Sequence, residues 1–447
     1  MPMITESTPI AFDDALPEAA DVVVIGAGIA GTATAWFLAG QGVRVVLCEK
    51  GRVAGEQSSR NWGWVRQQGR DPAELPIMIE SNRIWRGLAE QTGEADLAFT
   101  RAGCVYLTDS AAGLTKYEAW YETARQHQLD TRLLSKADLE KLLPGVAGPW
   151  IGGMATPSDG RGEPFVAVPA LARAAKRAGA AVVEGCAVRT LDIAGGRLAG
   201  VVTERGRVRC ERAVLAGGAW SSQFAANAGI DLPQLAVRST AARTGPAPDA
   251  YGPNVSTPGL ALRRRADGGY TVSSGDIAEH YVGWPSFRHL TKYLKLLRLS
   301  ARDTRVRLKG PSGYPGAWGT ARRWTADEES PFERLRVLDP APLPQAVERI
   351  RQRLPQRFPV LAGIPLAEAW AGMIDVTPDA IPVISPVEAI PGFYLSTGYS
   401  GHGFGIGPGA GLVTAGMVTG APATIDLSPF RFDRFAEGRP ASYGGAA

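Results

Sequence analysis

The stretch that decides the fold runs from Asp21 to Glu49: DVVVI (21–25), GAGIAG (26–31), TATAWFLAGQG (32–42) and VRVVLCE (43–49). An unbroken β-branched run reads as a strand buried on both faces of a parallel sheet. The alanine-rich segment after it reads as a helix that stops at Gly40 and Gly42. A second buried strand follows and ends on Glu49, which completes a βαβ unit. Gly26, Gly28 and Gly31 stand between the first strand and its helix, in the GxGxxG spacing. Gly26 permits the tight turn, Gly28 lets backbone approach a pyrophosphate, and Gly31 lets helix and strand pack closely. Ile29 and Ala30 open the helix, so their N–H groups point at the anion. Glu49, 18 residues beyond Gly31, is placed to accept hydrogen bonds from ribose hydroxyls, and its charge repels a 2′-phosphate. A plain glycine turn packing a helix on a sheet is the competing reading, and the acidic residue at that spacing disfavours it.

Outward from this unit the text changes. SSRNWG opens a long polar insertion at Ser58, and α/β text returns near 150 with an alanine-rich helix (AVPALARAAKRAGA) and the strand AVVEG. A three-stranded meander (187–210) and the buried strand AVLAGG (213–218) follow, then strands such as LALRRR and GGYTVSSG. A nicotinamide enzyme would continue as a regular βαβαβ sheet; here the sheet is interrupted. Near the C-terminus GYSGHGFGIGPGAGLVTAGMVTG (398–420) runs a glycine-dense loop into an apolar helix. Such a helix N-terminus suits an isoalloxazine, whose N1/C2=O edge gains negative charge on reduction. The expected architecture is α/β: a doubly wound, Rossmann-like FAD-binding domain (20–66, 150–232 and 362–425) interleaved with a smaller antiparallel α+β substrate domain (67–149 and 233–361). Residues 1–19 and 426–447 are expected to be tails.

Composition sets the broader limits. The 447 residues suffice for two cores, and 48 basic against 44 acidic residues leave a net charge of +4, too balanced to suggest nucleic acid. Cys48, Cys104, Cys186 and Cys210 are scattered without a CxxC pair, so neither a zinc site nor a disulfide framework is expected, and a reducing cytoplasm fits. The acidic leader lacks the positive start of a secretory signal, and no apolar run is long enough to span a membrane. HLTKYLKLLRLSARDTRVRLK (289–309) is basic and leucine-rich, and reads either as a solvated helix on the substrate domain or as a partner- or membrane-surface helix.

The segments VVVIGAGIAGTATAWFLA, SSRNWGWVRQ, AVLAGGAW, WAGMIDVTPDAIPVI and STGYSGHGFGIGPGAG, in this order over most of the chain, resemble the D-amino-acid oxidase / glycine oxidase / sarcosine oxidase family of FAD-dependent amine oxidoreductases. The resemblance implies oxidation of a C–N bond in a D- or N-alkyl amino acid, or a related amine, by hydride transfer to flavin N5, giving an imine that hydrolyses. Oxygen, or a quinone or other redox partner, would be the electron acceptor, and a homodimer is compatible. Relatives on the same plan also oxidise a C–OH carbon of a 2-hydroxyacid or polyol, or serve as non-catalytic flavin subunits of complexes. The likeness assigns Lys50, Ser58, Ser59, Asn61 and Trp62 to the loop passing the flavin and its pyrophosphate. It assigns Val183 to the adenine, Gly217, Gly218 and Trp220 to the strand lining the dinucleotide, and Gly401, His402, Gly403, Phe404 and Gly405 to the loop facing the pyrimidine edge. Some relatives carry a cysteine, bonded to FAD, where Gly372 stands, so FAD is expected to be non-covalent. Where some relatives carry an oxygen-activating lysine this chain has Gly405, and a clamp arginine falls on Met373.

Flavin amine oxidation needs no protein nucleophile, because the cofactor carries the hard chemistry. Arg66 is the candidate for holding a substrate carboxylate bidentately, although a contact with cofactor phosphate or a surface acid would also suit it. Arg60 shares that ambiguity. Trp62 and Trp64 read either as a cavity wall or as interdomain core. Tyr270 and His280 lie where relatives place substrate-facing side chains. No metal site is expected.

Overall fold

The computed structural model describes residues 3–436. At its centre a six-stranded sheet runs in the order Val383–Pro386, Phe393–Thr397, Arg212–Leu215, Val22–Ile25, Val45–Cys48, Ala181–Val183. Five strands are parallel, and Val383–Pro386 is antiparallel at the edge. Val22 pairs with Arg212 on one side and Val45 on the other. Alternation divides the apolar side chains between two layers. Val22, Val24, Leu47, Val182 and Val214 face one core, packed under the helices Ile29–Gly40, Pro164–Arg177 and Gly403–Thr419. Val23, Ile25, Val46, Val183, Ala213 and Leu215 face the other, closed by Trp220, Phe224 and the meander Val188–Ala194, Arg197–Thr203 and Gly206–Arg209.

A ten-stranded sheet forms the second layer. Its path is Thr304–Arg307, Ala278–Tyr281, Leu235–Thr244, Tyr270–Ser273, Leu260–Arg264, Asn254–Thr257, Cys104–Thr108, Gly152–Thr156 and Arg132–Ser135, and the long strand Leu366–Val376 pairs with Leu235–Thr244. Most pairings are antiparallel. The helix Pro344–Arg357 covers its core through Ile350 and Leu354. Sheet membership therefore puts Gly152–Thr156 and Leu366–Val376 in the large sheet, whereas the expected boundaries at 150 and 362 counted them with the dinucleotide-binding part.

Three segments differ from expectation. The leader is not a loose tail over residues 10–20: Phe12 is buried in the helical core, and Asp13 and Ala19 form β-bridges to Val183 and Arg209. Glu184 anchors it, accepting from the N–H groups of Ala11 (2.6 Å) and Phe12 (3.2 Å). At the other end, Phe430 is fully buried and Arg434 pairs with Asp379 at 2.8 Å, so the chain is fastened beyond 425 as well; residues 437–447 lie outside the described residues. The basic segment 289–309 is not one helix. The helix ends at Ser300, and Thr304–Arg307 is an edge strand parallel to Ala278–Tyr281. Among the described residues, no helix is long and apolar enough to cross a membrane.

Candidate dinucleotide cleft

The GxGxxG turn is built as the physics of its spacing requires. Gly26 has φ +100°, and a Cβ there would sit 2.6 Å from the Ala216 carbonyl oxygen. A Cβ on Gly31 would sit 2.0 Å from the Gly26 oxygen, so any side chain would lever the helix off the strand. The helix begins at Ile29, whose N–H donates to the Ser58 hydroxyl at 2.9 Å, and its N-terminus lines a cleft with an empty volume of about 1170 Å³, mouth included. Glu49 closes the loop: one carboxylate oxygen accepts from Ala27 N–H and the other from Gly51 N–H, both at 2.8 Å. Burial pushes its pKa up to about 7, against the pull of Lys50 and these two amides.

The cleft gathers most of the expected cofactor contacts from three distant parts of the chain. Gly26, Gly28, Ile29, Ala30 and Glu49 line it from the βαβ unit, and Lys50, Ser58 and Asn61 from the following loop. Gly217, Gly218 and Trp220 line it from the third strand, and Gly401, Gly403 and Phe404 from the C-terminal loop. Several others do not face it. Gly31 serves packing alone. Ser59 is fully buried and donates to the Glu56 carbonyl at 3.3 Å. Val183 is inside the sheet, where its carbonyl accepts from Glu49 N–H; Val188, five residues on, lines the cleft in its place. Lys50 lines the cleft, but its ammonium is committed to the protein: Glu56 lies 2.6 Å away, and the Leu335 and Arg336 carbonyls at 2.8 and 2.9 Å. The Trp220 indole N–H donates to the same Glu56 carboxylate at 3.1 Å.

At the inner end, Met373 and Asp375 of the long strand meet Tyr399 and the Gly401–Phe404 turn. Alternation explains which neighbours are absent. Gly372 points away, and a Cβ there would strike Gln57 Oε1 at 2.1 Å. Gly405 also faces away: its Cβ would lie 3.0 Å from the Trp64 oxygen, and its carbonyl accepts from Ser81 and Trp85. A lysine at 405 would enter a packed helix contact, so its absence says nothing about oxygen chemistry here. Burial raises the Asp375 pKa, while Gly398 N–H and the Gln234 amide hold the carboxylate at 2.8 and 3.0 Å.

His402 turns its ring behind the cleft to Glu74, 3.3 Å away and fully buried. Burial would raise the Glu74 pKa, but His402, Arg70 and Arg66 outweigh it and hold the carboxyl below its usual range. Burial lowers the pKa of His402, and that of Arg70 to about 10, while Glu74 pulls both back up. Arg66 is half-buried, stacks 5.6 Å from the Tyr106 ring and donates to the Gln68 carbonyl. It does not line the cleft but belongs to the knot behind Gly401–Gly403. Arg60 is fastened to Asp339 at 2.5 Å and to backbone carbonyls.

Three expected side chains are not at the cleft. Tyr270 is fully buried in the large-sheet core, its hydroxyl donating to Pro248 O (3.0 Å) and accepting from Ala250 N–H (3.1 Å) and Tyr251 N–H (3.2 Å). His280 bonds the Ala236 carbonyl and the Ser286 hydroxyl, each at 2.9 Å, in a small side cavity that shares only Ala219 and Met373 with the cleft. Trp62 packs edge-on against Trp64, 5.5 Å between rings. Conversely, Arg52, Glu56, Gln57, Phe224, Phe332 and Asp375 line the cleft without having been expected. Arg52 and Glu56, three and seven residues past Glu49, had a signal in their position on the loop after the acidic residue. Phe332 had none, because only the tertiary fold brings it to Trp220 and Phe224.

The cleft fits FAD on the protein's own terms: Gly26 and Gly31 leave the space a Cβ would fill, a helix N-terminus of the kind that favours a pyrophosphate lines it, and the Glu49 carboxylate lines it where ribose hydroxyls could donate. The comparisons agree. The sarcosine oxidase β subunit of Rhizobium meliloti is 25% identical over 428 residues, 94% of this chain and 89% of that protein. The L-amino acid deaminase of Proteus myxofaciens, solved with anthranilate, superposes with a TM-score of 0.91 at 34% identity, covering 96% of this chain and 97% of that one. That of Proteus vulgaris gives 0.88 at 30%, covering 94% and 98%. The model of the FAD dependent oxidoreductase family matches residues 21–417, and the chain belongs to that family.

Proposed function

We propose that this protein takes a hydride from the amine-bearing carbon of an α-amino acid, whose nitrogen gives up a proton as C–N becomes C=N, with the resulting imine released to hydrolysis. The observation that carries the reading is continuity: one cleft joins the Gly26–Gly28 turn to the Gly401–Gly403 turn, and behind the latter stand buried Arg70 and half-buried Arg66, beside the Glu74 that pairs with His402. Bound FAD supplies the electron acceptor at the inner end. The chain's residues then have distinct tasks. Met373, Tyr399 and Phe404 wall that end and exclude water. The amides at the start of the helix Gly403–Thr419 stabilise negative charge gathering beside them. On this reading half-buried Arg66, outside the cleft wall and backed by Arg70 and the Glu74–His402 pair, reaches the substrate carboxylate from behind the Gly401–Gly403 turn, so that the amine-bearing carbon is fixed. The amino-acid deaminases among the solved relatives support a free α-amine, and the sarcosine oxidase relative supports an N-alkyl one.

We further propose two folding units corresponding to the two large sheets, and a cytoplasmic setting, which four buried, unpaired thiols support. Oxygen or a quinone-type acceptor completes turnover.

The test is a pair of substitutions read against paired substrates. Arg66→Ala should lower kcat/KM for amino acids by roughly 30- to several-thousand-fold with flavin content unchanged, the loss of about 2–5 kcal/mol for a desolvated charge pair. Arg66→Lys should recover part of it. Decarboxylated amines that turn over as well as amino acids, with Arg66→Ala changing kcat/KM less than about threefold, would sink the assignment.

A further inference from the structure

Residues 3–20 precede the family's matched region, 21–417, and none of them lines the dinucleotide cleft. They are fastened to it from outside all the same. The loop from Lys50 to Ser58 supplies one wall of the cleft, and the leader grips that wall from behind. Arg52 lines the cleft but turns its guanidinium to the leader: Nε donates to the Thr8 carbonyl at 2.5 Å and Nη2 to the Glu6 carbonyl at 3.0 Å. Arg60, just past the wall, donates to the Ile4 carbonyl at 3.1 Å. Glu184, 2% exposed, joins wall and leader. One of its carboxylate oxygens accepts from Val53 N–H in the wall at 2.7 Å, and the other from Ala11 N–H and Phe12 N–H in the leader.

The wall needs such support. Ala54, in its middle, sits at φ +59°, a left-handed conformation that a residue with a Cβ adopts only where its surroundings impose it. On the cleft side Ala54 N–H donates to the Ala27 carbonyl at 3.0 Å, and the Ser58 hydroxyl accepts from Ile29 N–H at 2.9 Å. On another flank the Leu335 and Arg336 carbonyls hold Lys50, and Leu338 N–H holds Glu56. The leader is the support built to open. Glu6, Ser7, Pro9, Ile10 and Ala11 are exposed, so this stretch detaches before the core does. Its fixed end is Phe12, buried in the helical core, flanked by Asp13 paired with Arg205 at 2.7 Å and Asp14 with Lys176 at 2.6 Å.

We propose that residues 3–14 form a strap that clamps the Lys50–Ser58 wall against bound FAD, with Glu184 as the positioning residue that couples the two, so that the cofactor leaves only after the strap peels. Coupling of this kind is reciprocal: a strap that retains FAD must itself be held closed by FAD. A leader that only covered the core would be indifferent to the cofactor. Only FAD and the strap are involved, so the outcome does not depend on which amine the enzyme oxidises.

The experiment uses the full-length protein. Hydrogen–deuterium exchange of the Ala11, Phe12 and Asp14 amides is measured with FAD bound and after its removal. Release of FAD is followed by chasing isotope-labelled FAD with unlabelled. Bound FAD should slow exchange of these amides by about tenfold or more, the weight of one hydrogen bond to a charged group, and FAD should be lost no faster than they open. Asp13→Ala/Asp14→Ala removes two anchors that do not line the cleft. It should speed FAD release about tenfold or more and leave the melting temperature of the cofactor-free protein unchanged. Glu184→Gln keeps the shape but cannot accept at both oxygens, and should release FAD faster with the parent's flavin spectrum. Phe12→Ala should act in the same direction; if it fails to fold, the exchange measurements on the parent protein still decide. The proposal is overturned if the leader amides are equally protected with and without FAD, or if FAD exchanges faster than they open. It is equally overturned if Asp13→Ala/Asp14→Ala and Glu184→Gln release FAD at the parent rate, or if their loss of FAD only follows a lowered melting temperature.

Discussion

Glu49 should make FAD affinity depend on pH, and its substitution should abolish that dependence. In the protein without cofactor its pKa is pushed from 4.5 to about 7, chiefly by burial. Ribose hydroxyls donating to the carboxylate favour the ionised form, so the pKa falls when FAD binds. A proton must then leave on binding wherever pH is below about 7, and affinity rises with pH up to that point and levels off above it. The limiting slope is tenfold per pH unit, so the dissociation constant should improve by up to about 30-fold between about pH 5.5 and pH 8. Stability of the cofactor-free protein should run the other way. A folded-state pKa above the unfolded value contributes stability below about pH 4.5 that is lost as pH rises through about 7. Glu49→Gln keeps the shape and loses the charge. It should weaken FAD binding at pH 8 by about 1.5–3 kcal/mol, the worth of a hydrogen bond to a charged group, and flatten the pH profile. Titration of cofactor-free protein with FAD, followed by flavin fluorescence at several pH values, reads both effects. Asp159, which burial pushes to about 6, titrates in the same range, so the comparison with Glu49→Gln is decisive. A wild-type profile that is flat, or a Glu49→Gln profile as steep as wild type, would refute the assignment of Glu49 to the ribose.

Other consequences are simpler to read. Gly31→Ala should cost about 1–3 kcal/mol or more, because its Cβ meets the Gly26 oxygen at 2.0 Å, whereas Gly40→Ala meets nothing within 4 Å and should be neutral or better; equal melting temperatures would contradict this. Tyr270→Phe should lose about 1 kcal/mol of stability from its backbone hydrogen bonds and leave kcat/KM untouched, so a large kinetic defect would return Tyr270 to the active site. Acid precipitation should leave a colourless pellet and a yellow supernatant, since Gly372 carries no thiol and the four cysteines are buried; colour retained in the pellet would show a covalent flavin.

Legibility in the sequence followed the range of the interactions. DVVVI, VRVVLC and the meander were readable because a strand's neighbours impose alternation or continuous burial on the strand itself. GAGIAG and Glu49 were readable because turn, helix N-terminus and acid lie within one local unit. Glu56 had its place on that loop as a signal, but its partners were not readable, because the Trp220 indole and the Leu338 N–H that hold it come from 164 and 282 residues away. Tyr270 misled because adjacent strand residues point to opposite faces, and nothing local says which face is core. The density of glycine in 398–420 also has a second cause beside ligand approach. Gly407 and Gly411 press the terminal helix onto Ile29 and Ala33, and Gly409 presses it onto Ile77 and Ser81.

That helix contact fixes when the protein can become itself. Val22–Ile25 gains its neighbour Arg212–Leu215 only after almost half the chain has been made, and that strand gains Phe393–Thr397 near the end. The alanine-rich helix Ile29–Gly40 is covered on one flank by Gly403–Thr419. At about 5–20 residues per second, a ribosome leaves the first βαβ unit without its final cover for roughly 20–70 seconds. Through that interval its apolar helix is bare, and every closing contact is of long range, which is slow to form. The nascent chain is therefore a natural client for chaperones, and any truncation that removes residues 403–419 should yield an insoluble product incapable of retaining the cofactor.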